Sequence, residues 1–385
     1  MQNVLSKEDI IWLEESYEKL KAKMTAQCER IGGGLPFVVR EGRYAEIQIP
    51  DKESFWTNGF WPGILWQMYN ATGDEAYKRT AESVEEHLEK ALQDFEGLHH
   101  DVGFMYLLSS VANYRITGNK DSYRRGVHAA TLLAGRYNPN GEFIRAWNDS
   151  TRPGGEDNRG WMIIDSLMNI PILYWVSAQI NDPRFAQIAD RHAATAQKYI
   201  VRPDGSCNHI VNFDPDTGEY ISAPDGQGYD GASSWSRGQS WAVYGFTAAY
   251  RHSGNIAFLD TAKRCAHYCI ANLAITDWLP LADFRAPAEP VKYDSGAGVI
   301  IACGLLELAG HVPDFEKRLY IDAAVKMLRA CDASFSNWNA EEDAIMCGGS
   351  LQYHNDHFPN TAAIYNDYFF VEAILRLLDK DIFLW

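Results

Sequence analysis

The chain has 385 residues, 46% of them hydrophobic, with no low-complexity stretch or Pro/Gly/Ser-rich hinge, and it reads as one domain over residues 1–385. Its net charge of −16 excludes nucleic acid and an anionic membrane surface as partners, because the general field repels polyanions, but not a small acidic substrate in a locally positive pocket. No segment is long and apolar enough to span a bilayer, and residues 1–9 lack the basic start and apolar run of a signal peptide, so a cytoplasmic protein is expected.

Helical patterns dominate and recur as a unit. The first helix is predicted over roughly residues 7–30. An aromatic-rich helix, a short turn and a more polar helix then repeat. The turns are Thr72-Gly73-Asp74, Thr117-Gly118-Asn119, Asn181-Asp182-Pro183, Ser253-Gly254-Asn255 and Val312-Pro313-Asp314. Gly suits the left-handed C-terminal position, Asp or Asn the N-cap, and Pro the first turn. An aromatic follows each turn (Tyr77, Tyr123, Phe185, Phe258, Phe315), placed to staple the new helix onto the previous one. A last helix is predicted over roughly residues 360–378, pairing with the first. Six such hairpins make an all-α closed double ring; the alternative is an open solenoid, which the amphipathic last helix and the lack of polar capping repeats disfavour.

In a closed ring, the loops before the inner helices converge on one mouth. They hold Phe55-Trp56-Thr57-Asn58-Gly59-Phe60-Trp61, Leu98-His99-His100-Asp101, Ile144-Arg145-Ala146-Trp147 and Ser234-Trp235-Ser236-Arg237-Gly238-Gln239-Ser240-Trp241. Six tryptophans (Trp56, Trp61, Trp147, Trp161, Trp235, Trp241) would line the cavity, and aromatic faces with charges between them are a carbohydrate signature. The competing reading of any one of them is a core or rim filler. Asp101 and Asp165 each lie near the start of an apolar helix. A buried, isolated carboxylate is costly unless it becomes neutral, so two in parallel settings point to an acid and a base; helix capping is the alternative for either. The seven cysteines are scattered, and Cys265 and Cys269 lack the second pair or histidines of a zinc site, so they read as reduced thiols.

Together the motifs resemble unsaturated glucuronyl hydrolases, glycoside hydrolase family 88. The resemblance rests on Trp56-Thr57-x-Gly59-Phe60-Trp61-x-Gly63-x-Leu65-Trp66, His99-His100-Asp101-x-Gly103-Phe104, Ile163-Ile164-Asp165-x-Leu167-x-Asn169 and Trp235-x-Arg237-Gly238-Gln239-x-Trp241-x-x-Tyr244-Gly245-Phe246, in order over nearly the whole chain. It implies an (α/α)6 barrel, and a substrate with a 4,5-unsaturated uronic acid at its non-reducing end, glycosaminoglycan-type disaccharides first. By the same resemblance Asp165 is the catalytic acid/base and Asp101 the second essential carboxylate. His209, Gln227, Arg237, Trp56, His100, Trp147, Trp235 and Trp241 are implied substrate contacts. Asn58 departs from relatives that carry Asp there.

The implied chemistry is protonation of the vinyl ether at C4, then addition of water at C5, with Asp165 serving both steps. Asp165 must then start protonated near neutral pH, against a usual value of about 3.9, and burial beside Asp101 pushes it that way. Arg237 and His209 are in place to balance the uronate carboxylate. The alternatives are that Arg237 simply pairs with a buried acid and that His209 is a loop histidine bonded to backbone. No metal or cofactor is needed: His354 and His357 read as a loop feature, and Asp367 is a weak further candidate. The partner is a small oligosaccharide, taken by a monomer or small homo-oligomer. Rivals are an unsaturated rhamnogalacturonyl hydrolase, an inverting glycosidase acting on saturated sugars, a sugar epimerase and a non-enzymatic oligosaccharide-binding protein.

Overall fold

The computed structural model describes residues 4–46, 52–148, 157–355 and 360–385. Helix α1 (Lys7–Ile31) is followed by a two-stranded ribbon, β1 (Pro36–Arg40) and β2 (Arg43–Glu46). The hairpins then run α2 (Phe60–Thr72) to α3 (Glu75–Asp94), and α4 (Val102–Tyr106) through a π-turn to α5 (Ala112–Thr117) and out along α6 (Lys120–Ala134). After a ribbon of β3 (Tyr137–Asn138) and β4 (Phe143–Ile144) comes β5 (Trp161–Ile163), then α7 (Pro171–Ile180) and α8 (Pro183–Tyr199). Strands β6 (Ile210–Phe213) and β7 (Tyr220–Ser222) extend β5 into a three-stranded antiparallel sheet. The chain closes with α9 (Ser236–Ser253), α10 (Ile256–Leu273), α11 (Ser295–Ala309), α12 (Asp314–Phe335) and α13 (Ile364–Leu377).

Local chemistry sets the hairpins. Gly73, Gly118 and Gly254 end their helices at φ 74°, 75° and 69°, where a Cβ would be strained. Asp74, Asn119, Asp182 and Asn255 each accept a backbone N–H of the next helix, as expected of N-caps. The fifth turn departs from this: Pro313 occupies the cap position without a side-chain bond, and Phe315 is 85% exposed rather than stapled. Tyr77 and Phe258 are buried as stapling requires, and Tyr123 and Phe185 are partly so.

The ring closes. Helix α13 packs on α11 on one side and α2 on the other, and α1 covers it from outside. Every residue of α11 and α13 is buried, as befits inner helices with neighbours all round, whereas α3 buries one stripe (Tyr77, Ala81, Val84, Leu88). The match of this architecture to solved (α/α)6 barrels is described with the site below. Three small sheets were not expected; they are set in the loops between hairpins. Residues 379–385 fold back under the ring: the Gln67 amide exchanges two hydrogen bonds with Ile382, and the buried Trp385 stacks on Phe369 and donates from Nε1 to Glu372. Among the described residues no helix is long and apolar enough to cross a membrane.

Candidate active site

The N-terminal ends of the inner helices supply the site. Asp165 lies not at the start of a long helix but in a 3-10 turn (Ile164–Met168) directly after β5. Two bonds aim that turn. Ile164 N–H donates to the His209 carbonyl at 3.1 Å, and Ser166 Oγ bonds both the Ile163 carbonyl and His192 Nε2, at 2.5 and 2.6 Å. His192 Nδ1 accepts from Ile144 N–H, so Nε2 carries its proton. Asp165 Oδ1 is buried with no hydrogen-bond partner among the described residues. Burial raises its pKa to about 7, against the pull of backbone bonds and the Arg237 charge.

Asp101 stands at the entry to α4, 5% exposed. Its Oδ1 accepts from Asn169 Nδ2 at 2.9 Å, and its Oδ2 lies 3.4 Å from His99 Nδ1. Burial first, and the Asp165 carboxylate second, raise its pKa well above the usual range. His100 bridges the two acids: its Nε2 is 3.5 Å from Asp101 Oδ1 and 3.8 Å from Asp165 Oδ1. Burial holds this ring neutral. His99, His100 and Asp101 also bring metal-ligand atoms within 4.8 Å of one another, but the nearby Arg136 guanidinium opposes a cation there.

The profile of Glycosyl Hydrolase Family 88 matches residues 36–274, well over half of the chain. The chain belongs to glycoside hydrolase family 88. Among its family 88 relatives, the unsaturated glucuronyl hydrolase of Bacillus sp. (strain GL1) is 37% identical over 327 residues, covering 84% of this chain and 86% of that protein. An unsaturated chondroitin disaccharide hydrolase of Streptococcus pyogenes serotype M1 is 33% identical, covering 83% and 80%. The solved Bacillus sp. GL1 enzyme superposes with a TM-score of 0.88 at 34% identity over 95% of this chain and 96% of its own, and these family 88 structures are (α/α)6 barrels.

Beside the turn that carries Asp165, the family 88 site presents nitrogen donors. His209 Nδ1 accepts from Gln227 N–H at 2.9 Å, which puts the proton on Nε2; Nε2 is buried and partnerless among the described residues. Burial and Arg237 hold this ring neutral, with its pKa near 3. The Trp235 ring lies 4.5 Å from it, and Trp235 Nε1 is likewise buried without a partner. Trp56, stacked on Tyr365, and Trp147, against Trp161, are both partly exposed at the mouth.

The structure corrects two of the expected cavity tryptophans and gives several other expected residues partners within the protein. Arg237 does pair with a buried acid: Nη1 meets Asp294 Oδ2 and the Ser350 carbonyl at 2.5 Å, and Nη2 donates to the Leu351 carbonyl at 2.6 Å. Its charge is thus paired with Asp294, and His209 is neutral. Gln227 spends its amide nitrogen on the Leu351 carbonyl. Trp241 is 1% exposed between Phe104 and Phe369, and Trp61 is 1% exposed with Nε1 on the Gly32 carbonyl, so both are core. Asp367 accepts from Ile345 and Met346 N–H and Tyr44 Oη, anchoring a loop. His354 bonds the Tyr229 carbonyl, as a loop residue would, and His357 lies outside the described residues. Sequence reasoning missed Asp294, whose one signal was its N-cap position before the apolar run of α11, and Tyr365, which faces both Trp56 and Arg237.

Proposed function

We propose that this family 88 enzyme releases the 4,5-unsaturated uronic acid from the non-reducing end of oligosaccharides left by polysaccharide lyases. The observation that carries the reading is Asp165: a buried, partnerless carboxyl oxygen held near neutrality beside a second acid. Protonated Asp165 gives its proton to C4 of the vinyl ether, and positive charge develops at C5, shared by the ring oxygen. The resulting Asp165 carboxylate takes a proton from water as that water adds to C5. The hemiketal so formed opens and the glycosidic bond breaks without attack at C1. Asp101 and His100 bound the reacting edge of the sugar. The adjacent Nε2–H of His209 and Nε1–H of Trp235 offer two directed donors to the uronate carboxylate.

Names of the relatives put glycosaminoglycan disaccharides first as substrates: two are called chondroitin disaccharide or glucuronyl hydrolases, and a Streptococcus agalactiae family member, 27% identical with a TM-score of 0.82 over 97% of this chain and 93% of its own, was solved with dGlcA-GalNAc6S. We also place the enzyme in the cytoplasm, a reading supported by its unbridged thiols, Cys207 and Cys265 among them with sulfurs 4.0 Å apart.

The near-ultraviolet absorbance of unsaturated chondroitin, hyaluronan, heparin and pectin disaccharides tests the activity. Absorbance is expected to fall with the wild-type enzyme, fastest on a glycosaminoglycan product. Cleavage of saturated glycosides with no such loss would replace this reading by the inverting glycosidase.

A further inference from the structure

The two aspartates come from separate hairpins, yet a single side chain ties them. Asn169, fully buried, donates from Nδ2 to Asp101 Oδ1 at 2.9 Å and to the Asp165 carbonyl at 3.2 Å. Its Oδ1 accepts the Phe104 N–H at 2.7 Å, on the same turn as Asp101. Both donated bonds and the accepted one are thus directed at the two catalytic segments. The approach is close enough to require Gly103: a Cβ there would stand 2.4 Å from the Asn169 Cα and carbonyl oxygen. That explains a glycine two residues after Asp101 and an asparagine four after Asp165 as halves of one contact.

We infer that Asn169 is a positioning residue, a cross-brace that fixes the Asp101 carboxyl against the turn carrying Asp165. The inference rests on the catalytic reading of the two aspartates given above. A donor to one carboxylate stabilises its ionised form. Asp101 has that amide donor, which works against the larger raising effects of burial and of Asp165 and holds the carboxyl in one orientation. The other titratable or charged groups facing the pair are His99 and His100 on the Asp101 turn and Arg136 at the end of α6. Across the mouth stand His209 and Arg237, with His192 behind Ser166. The histidines are held neutral by burial, and Arg237 is paired with Asp294. Arg136 bonds the Arg145 and Ala146 carbonyls and Asn148, and acts on Asp101 from outside the cross-brace.

Two variants test it by absorbance loss on an unsaturated chondroitin disaccharide, with cooperative thermal unfolding as the check of folding. Asn169→Ala removes the donor, so the Asp101 carboxyl is no longer held against the Asp165 turn. The expected result is a fall in kcat of at least about tenfold with KM within about threefold. Asn169→Asp keeps the side-chain volume and the acceptor for Phe104 N–H but loses the donor; it is expected to lose kcat to a similar extent. A folded variant of either kind with wild-type kcat overturns the cross-brace. If Asn169→Ala does not fold, Asn169→Asp decides by kcat alone. A wild-type enzyme inactive on every unsaturated sugar instead overturns the proposed function, so the two failures are told apart.

Discussion

Asp165→Asn is expected to bind an unsaturated disaccharide and leave it intact, with kcat lowered on the order of 10³-fold or more. The amide matches the carboxyl in shape but has no acidic proton for C4 and cannot accept one from water. KM should stay within a few-fold of wild type, because the sugar meets the same Trp56, His209 and Trp235 surfaces. The wild-type pH dependence carries the same information. Burial holds Asp165 near 7. The acid form, present below that value, is the one that starts the reaction, so kcat declines as pH rises through about 7. Asp101 titrates with it, so the limb belongs to the pair. Turnover by Asp165→Asn at a wild-type rate would leave a differently catalysed reading in its place.

The second large effect is on stability. Asp294→Ala leaves the Arg237 guanidinium, 2% exposed, without its carboxylate partner. Removing one member of a buried pair costs about 3–5 kcal/mol, because an uncompensated charge stays in a dry site. Arg237 also holds the Ser350 and Leu351 carbonyls, so the loop before α13 loosens with it. Denaturant unfolding of Asp294→Ala measures the loss. The double replacement Asp294→Leu with Arg237→Met removes both charges and is expected to recover most of the stability but little activity. A loss below about 1 kcal/mol in the single variant would mean that water or backbone already compensates the arginine.

The parts of this molecule legible in its sequence are those decided within a few residues. Gly73, Gly118 and Gly254 end helices because of their own φ, and Asp74, Asn119, Asp182 and Asn255 begin them by bonding a neighbour two or three positions on. Counting those punctuation marks was enough for the hairpin ring. Asp101 and Asp165 stood out as acids within apolar runs. What was illegible depends on distant partners. Trp56 and Trp241 look alike in the sequence, but one ends beside the mouth and the other between Phe104 and Phe369, a difference of helix phase and neighbour. Nothing near Arg237 announces Asp294, 57 residues away, or the carbonyls of Ser350 and Leu351 beyond it. The π-turn at Leu107–Val111 and the 3-10 turn under Asp165 are likewise tertiary choices in segments whose pattern is simply apolar.

The neutrality of the Arg237–Asp294 pair has a consequence for how the enzyme responds to salt. A protein of net charge −16 repels an anionic sugar at long range, and among the described residues of the mouth Arg237 is paired with Asp294 and His209 is neutral. The proposed recognition through the short-range N–H dipoles of His209 and Trp235 is barely screened by ions in solution once the sugar is seated, while the repulsion on approach is screened over a Debye length of about 10 Å at 0.1 M. Raising ionic strength is therefore expected to ease capture rather than weaken it, the reverse of the behaviour of enzymes that draw in anions with exposed lysine and arginine.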